Sequence, residues 1–216
     1  ITPDTHFLES IRADRGSYKN LLAEAVDNSF DAGATSIEVT LGKEFVAIQD
    51  NGVGITKDRQ SAIVKLGQHA AMPTTMLGTF GIGLKYHAVS AGNELEVEST
   101  SLDGRMKLDV DWERVVRIGK WEIRSPRWLP ALKSTGTGTK ITISGLRWNL
   151  PTTKDIEAAR EHLAQIFYPA LASRRSIMIN DAVLPVLHEP KIIHVVEGNI
   201  RLPSGKGATV RGGIMV

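Results

Sequence analysis

Between Tyr18 and Ala32 apolar positions return at helical spacing, with Leu22, Ala25, Val26, Ser29 and Phe30 on one side and Gly33 as a stop, which predicts a helix. Ser36 to Leu41 alternates as a strand, Phe45 to Gln49 forms an apolar second strand, and the short Gly42-Lys43-Glu44 link makes the two a hairpin with Asp50 at its end. Lys57 to Leu66 predicts a second helix. The Ala-, Thr-, Met- and Gly-rich stretch up to about Phe80 is a candidate lid, and a helix is expected from near Gly81 to the stop at Ala91-Gly92-Asn93. From Glu94 to Ile143 the pattern is β: ELEVEST, RMKLDVDW, KWEIR and TKITISGL, expected as antiparallel, sequential strands separated by turns such as Asp103-Gly104. After Pro151, Lys154 to Tyr168 predicts a helix and Ser176 to Val216 further strands, with turns at Asn180-Asp181 and Glu197-Gly198-Asn199. Helices and antiparallel strands in mixed order predict an α+β sandwich, one helical layer on one sheet, with a first domain at 1–150 and a second region at 151–216.

Composition narrows this picture. With 216 residues, 42% of them hydrophobic, the chain buries a sizeable core, roughly 70% of the surface that its unfolded form exposes. Absence of cysteine excludes disulfide frameworks and thiolate zinc sites and fits a reducing compartment, so cytoplasm is the default, or the nucleus in a eukaryote. No apolar run approaches the ~18 residues of a membrane span, and the first residues are too polar for a signal peptide, so no membrane role is expected. The start at Ile1 and the strand-like end at Val216 suggest a piece excised from a longer chain. Net charge is only +2, yet the span from Arg114 to Arg147 holds eight Lys or Arg against one acid, Glu122, with Trp121, Trp128 and Trp148 in or beside it. Two readings fit: a nucleic-acid surface of cations and stacking rings, or ordinary strands with solvated cations and buried tryptophans, the commoner arrangement.

Four clusters carry candidate chemistry. On the first long helix Glu24, Asn28 and Asp31 fall on one polar stripe beside Asp27, which alone reads as a solvated face. Asp50-Asn51-Gly52-Val53-Gly54-Ile55 presents a carboxylate at a strand end, able to accept from an exocyclic amine, with Gly52 and Gly54 leaving room for a flat ring; an Asn-Gly turn is the alternative. Gly78-Thr79-Phe80-Gly81-Ile82-Gly83-Leu84-Lys85 runs into a helix whose N-terminal N–H groups suit an anion, but it matches neither the dinucleotide fingerprint nor a P-loop. Gly136-Thr137-Gly138-Thr139 sets a hydroxyl at the beginning of a late strand.

In order and spacing, Glu24-x-x-Asp27-Asn28-Ser29-x-Asp31-Ala32, Asp50-x-Gly52-x-Gly54, Gly78-x-x-Gly81-x-Gly83 and Gly138-Thr139 resemble the four motifs of the GHKL ATPases. That superfamily includes gyrase, the heat-shock chaperone, histidine kinases, MutL and MORC proteins, and the form of the motifs looks closest to MORC-like members. The resemblance spans roughly Leu21 to Leu146. It implies a Bergerat-type two-layer sandwich followed by the start of a transducer-like region. It also implies Glu24 as the general base, Asn28 as a magnesium ligand, Asn28 and Asp31 as nucleotide-binding residues, and Asp50 on the adenine amine with help from Thr139. Gly52 and Gly54 would make room for the base. The run Gly78, Thr79, Phe80, Gly81, Ile82, Gly83, Leu84 and Lys85 would line the nucleotide, with Gly81, Gly83 and Lys85 at the phosphates. Departures are a lid segment, Gly67-Gln68-His69-Ala70-Ala71, without the usual Ser and Lys, and no identifiable transducer lysine, so slow hydrolysis is expected. The six histidines form no metal-ligand spacing, and Leu163, Phe167 and Tyr168 read as core.

The expected function is an ATP- and Mg2+-dependent conformational machine whose nucleotide closes the lid and joins two protomers in a homodimer, with DNA engagement supported by the charge excess. The alternatives are a non-catalytic nucleotide-gated interaction module and a chaperone-type ATPase acting on proteins.

Overall fold

A computed structural model describes residues 5–64, 82–131, 136–187, 192–201 and 207–215. Its helices are α1 (Thr5–Ala13), α2 (Tyr18–Asp31), α3 (Gln60–Val64), α4 (Ile82–Ala91), α5 (Trp112–Ile118), α6 (Thr153–Ile166) and α7 (Tyr168–Ala172). Its strands are β1 (Ser36–Leu41), β2 (Phe45–Asp50), β3 (Gly92–Ser101), β4 (Gly104–Asp111), β5 (Arg127–Leu129), β6 (Gly138–Leu146), β7 (Ser176–Ile179), β8 (Ala182–Val183), β9 (Ile192–Arg201) and β10 (Gly207–Met215).

Strands β1 to β8 form one sheet in the order β5-β4-β3-β6-β2-β1-β7-β8. Every pairing is antiparallel except β1 with β7. Alternation along β1, β3, β4 and β6 turns Ile37, Val39, Leu95, Val97, Leu108, Val110, Ile141 and Ile143 into a core shared with the apolar sides of α2 and α4. The α+β sandwich expected from the sequence is the fold observed. The strands are not sequential, however: β6 returns to lie between β2 and β3. Strand β2 buries Val46, Ala47 and Ile48 in succession, a run that suits an interior strand paired on both sides. This crossing brings the end of β2 beside the beginning of β6.

Local signals explain most elements. α6 begins at Thr152, whose side chain accepts from the Asp155 N–H while Asp155 reaches back to the Thr152 N–H, a full capping box. α6 packs on α2, with Phe167 edge-on to Phe30 at 5.5 Å between ring centroids. Asn180 and Asp181 take positive φ of 47° and 63°, as a two-residue turn between β7 and β8 requires.

Three expectations are corrected. KWEIR, expected as a strand, is coil that follows α5, a helix capped by Asp111 accepting from Arg114 N–H and stopped by Gly119 in the left-handed region at φ 64°. Trp121 within it packs on Trp112 and donates to the Val64 carbonyl at 2.7 Å, so its side chain is held inward by packing rather than by a ladder. Glu197-Gly198-Asn199 is not a turn but lies inside β9, opposite Thr209 to Arg211 of β10. Helix α1 was not expected; Leu8 and Ile11 are its buried side.

By contacts the chain divides between Pro185 and Val186. The segment after Leu150, expected to open a second domain, adds α6, α7, β7 and β8 to the first unit, because β7 pairs with β1 and α6 covers α2. The second unit contains the β9–β10 hairpin. Among the described residues no helix is long and apolar enough to cross a membrane.

Candidate nucleotide site

The β2–β6 register sets Asp50 directly opposite Thr139. Asp50 Oδ1 accepts from the N–H of Gly52 at 2.8 Å and of Thr139 at 3.2 Å, and Oδ2 accepts from Ser29 Oγ at 3.2 Å. A carboxylate offers about four lone-pair directions. Both on Oδ1 are taken, and Oδ2 shares the single Ser29 hydrogen with the Ala25 carbonyl, which leaves acceptor capacity on Oδ2 among the described residues. Burial raises the Asp50 pKa above the ordinary carboxylate value, and the bonds from Gly52, Ser29 and Thr139 work against that rise.

The loop after Asp50 is fixed at each step. Asn51 Oδ1 accepts from the N–H groups of Thr35 and Ser36, Val53 N–H donates to the Ala32 carbonyl at 2.9 Å, and Ile55 N–H donates to Ser99 Oγ at 2.8 Å. Gly54 has φ 71°, and a Cβ there would stand 2.0 Å from the Thr100 carbonyl oxygen. What requires glycine at 54 is therefore a backbone crossing, in addition to the room for a ring expected from the sequence.

Glu24, Asn28 and Asp31 lie along α2, Glu24 exposed and the other two half-buried. Glu24 reaches across to the first turn of α4, since a Cβ on Gly83 would lie 2.3 Å from Glu24 Oε2. Leu84 is buried beside them. Gly78, Thr79, Phe80 and Gly81 lie outside the described residues, as do the Gly67 to Ala71 lid segment and the side chain of Ile82. Lys85 is 4% exposed, and burial lowers its pKa to about 8. It lines a small apolar space of about 20 Å³ with Leu84, Ala88, Val97 and Trp112, inside the core rather than at its rim. One helical turn past Gly83, burial lowers the pKa of His87, with Glu24 and Asp14 pulling it up; its Nδ1 is buried without a hydrogen bond among the described residues.

Two residues in this assembly were not singled out from the sequence. Ser29 was counted with the apolar stripe of α2, yet its hydroxyl divides between the Ala25 carbonyl at 3.0 Å and Asp50. Ser99 is buried on the inward side of β3, following Leu95 and Val97, and sits 3.0 Å from Thr139 Oγ1. The available signal was a small hydroxyl at an inward position of an otherwise apolar face.

This donor set suits a nucleotide: a buried acceptor for an amine at one end, and hard oxygens with a glycine-opened helix start at the other. Among the described residues no cluster of three or more His, Cys, Asp or Glu could hold a metal ion. Asn28, half-buried on α2, carries a side-chain oxygen of the kind that magnesium accepts.

The tryptophans of the basic stretch are tied into the protein. Trp121, Trp128 and Trp148 donate to the Val64 carbonyl, Gln60 Oε1 and Ser90 Oγ at 2.7, 2.8 and 3.0 Å. Arg114, Arg117, Lys120 and Arg124 around them are exposed.

A family described as histidine kinase-, DNA gyrase B-, and HSP90-like ATPase matches residues 17–139, a span that contains Glu24, Asp50 and Thr139. The DNA mismatch repair protein MutL of Gemmatimonas aurantiaca is 33% identical over 95 residues, 39% of this chain and 15% of that protein. MutL of Lactobacillus helveticus is 28% identical over 158 residues, 68% of this chain and 23% of the relative. MutL of Leptospira biflexa is 31% identical over 146 residues, 64% and 22% of the two. The chain thus spans less than a quarter of the length of these relatives. A solved N-terminal domain of a DNA repair protein shares the fold, with a TM-score of 0.51 and 20% identity over 95% of this chain and 55% of that one. The chain belongs to the histidine kinase-, DNA gyrase B- and HSP90-like ATPase family.

Proposed function

We propose that this chain binds ATP with magnesium between α2, the loop after β2 and the start of α4, and hydrolyses it to drive lid closure and the pairing of two protomers in DNA repair. The observation that carries the reading is the acceptor capacity left on Asp50 Oδ2, beside an Oδ1 that the Gly52 and Thr139 N–H groups fill. An exocyclic amine is a donor and matches it. Thr139 stands beside Asp50 to assist.

At the other end Glu24 lies along the first turn of α4, where backbone N–H groups favour phosphates, while Lys85 is enclosed in the core behind that turn. There Glu24 is placed to orient and deprotonate water, and Asn28 to offer its side-chain oxygen to magnesium, which neutralises phosphate charge when bound. Asp31, on the same polar stripe of α2, would line the nucleotide. The family resemblance assigns Gly78, Thr79, Phe80 and Gly81 to the nucleotide and residues 151–216 to a partial transducer-like region. The MutL relatives favour a DNA-repair setting over a MORC-like or chaperone one, and Arg114, Arg117, Lys120 and Arg124 are the cations this reading offers to DNA phosphates.

Glu24→Ala separates an ATPase from a nucleotide-gated module that does not hydrolyse. Nucleotide affinity should hold within about threefold while the rate of phosphate release drops about a hundredfold or more. Phosphate release that continues at the parent rate would remove Glu24 from the role of base.

A further inference from the structure

Ser99 is 4% exposed and lies directly behind the base end of the site, paired with Thr139 in the β3–β6 ladder. Its hydroxyl oxygen accepts from Ile55 N–H at 2.8 Å, and it is 3.1 Å from the Gly138 carbonyl oxygen and 3.0 Å from Thr139 Oγ1. A hydroxyl has one hydrogen and two lone pairs. Ile55 takes one lone pair. A carbonyl can only accept, so all three contacts are satisfied together in one way: Ser99 donates to Gly138 and accepts from the Thr139 hydroxyl. Thr139 has then spent its hydrogen inward and turns only lone pairs toward the site. Asp50, when ionised, is likewise an acceptor only.

We propose that Ser99 is a positioning residue for base selection: by taking the Thr139 proton it keeps the base end of the site all-acceptor, favouring a 6-amino purine over a 6-oxo purine. The inference rests on the reading of Asp50 and Thr139 as the base end of a nucleotide site. A 6-amino group donates to both acceptors, directly or through a water, whereas a 6-oxo group faces two acceptors with another. Removing the Ser99 hydroxyl frees the Thr139 hydrogen to swing outward, and the site then offers one donor to an oxo group.

The test is calorimetric titration of the parent, Ser99→Ala and the near-isosteric Ser99→Cys with non-hydrolysable analogues of ATP and of GTP, on proteins whose melting shows them folded. The readout is the ratio of the two affinities. The parent should prefer the ATP analogue, and both variants should narrow that preference, by about tenfold in Ser99→Ala, with the GTP analogue gaining or holding affinity. A merely structural role would weaken both analogues together and leave the ratio unchanged, and that result in the two variants overturns the proposal. A parent that binds neither analogue overturns the nucleotide-site reading itself, and this inference with it.

Discussion

Half-buried Asp50 and buried Lys85 carry charge that water would otherwise stabilise, and each is shifted toward its neutral form. For Lys85 the folded pKa of about 8 lies below its ordinary value of 10.5, so between those values the unfolded chain holds more protons than the folded one. Stability contributed at this position therefore rises as pH climbs through that window. Melting of the parent against Lys85→Met from pH 7 to pH 10 should show the parent gaining on the variant as pH rises; a constant difference would contradict the shift. At the same scale, Asp50 and Thr139 were legible because each stands at a strand boundary marked by glycine. Ser29 and Ser99 were not, because periodicity sorts residues by side, and a serine on an apolar side looks like a small core residue until its partner on a distant strand is known.

The loop from Asn51 to Ile55 shows how elements hold the site. It is bonded to the end of α2 through Val53 and to β3 through Ile55, and Gly54 crosses the Thr100 carbonyl. Gly54→Ala adds both a left-handed backbone penalty and a clash, so denaturant unfolding should show a loss of about 2 kcal/mol or more. Gly136→Ala is the control, because a Cβ there meets nothing within 4 Å and φ is not positive, and it should be near neutral. An equal loss in both would mean the loop is not pinned as described. Elements with long periodic patterns, α2, α6, β1 and β2, were legible from the sequence. The failures have local causes. Alternation in KWEIR comes from Trp121 and Ile123 packing on the core from a coil, and the seven-residue α5 is too short for periodicity to reveal, though its cap at Asp111 and stop at Gly119 were both in view. Helix α1 is similarly short, with only Leu8 and Ile11 to mark it.

Across the whole molecule, the decisive fact absent from any local pattern is the strand order. Asp50 and Thr139 are 89 residues apart, and only the return of β6 between β2 and β3 makes them neighbours and slides Ser99 in behind them. That return joins Asp50, Gly52 and Gly54 to Gly138 and Thr139, two of the four separated motifs, while α2 and α4 bring Glu24 to Gly83. The basic stretch shows the opposite case, a sequence cluster whose tryptophans the fold turns to internal bonds while Arg114, Arg117, Lys120 and Arg124 stay exposed. The central claim is that this fold presents Asp50 as the acceptor for the base of ATP, and calorimetric titration with a non-hydrolysable ATP analogue, with and without magnesium, tests it in the parent and in Asp50→Asn. The asparagine keeps an oxygen for Gly52 and Thr139 but replaces Oδ2 with a donor, so the fold should persist while magnesium-assisted binding falls at least tenfold. Equal affinity in the two proteins, or no binding in the parent, would contradict the account.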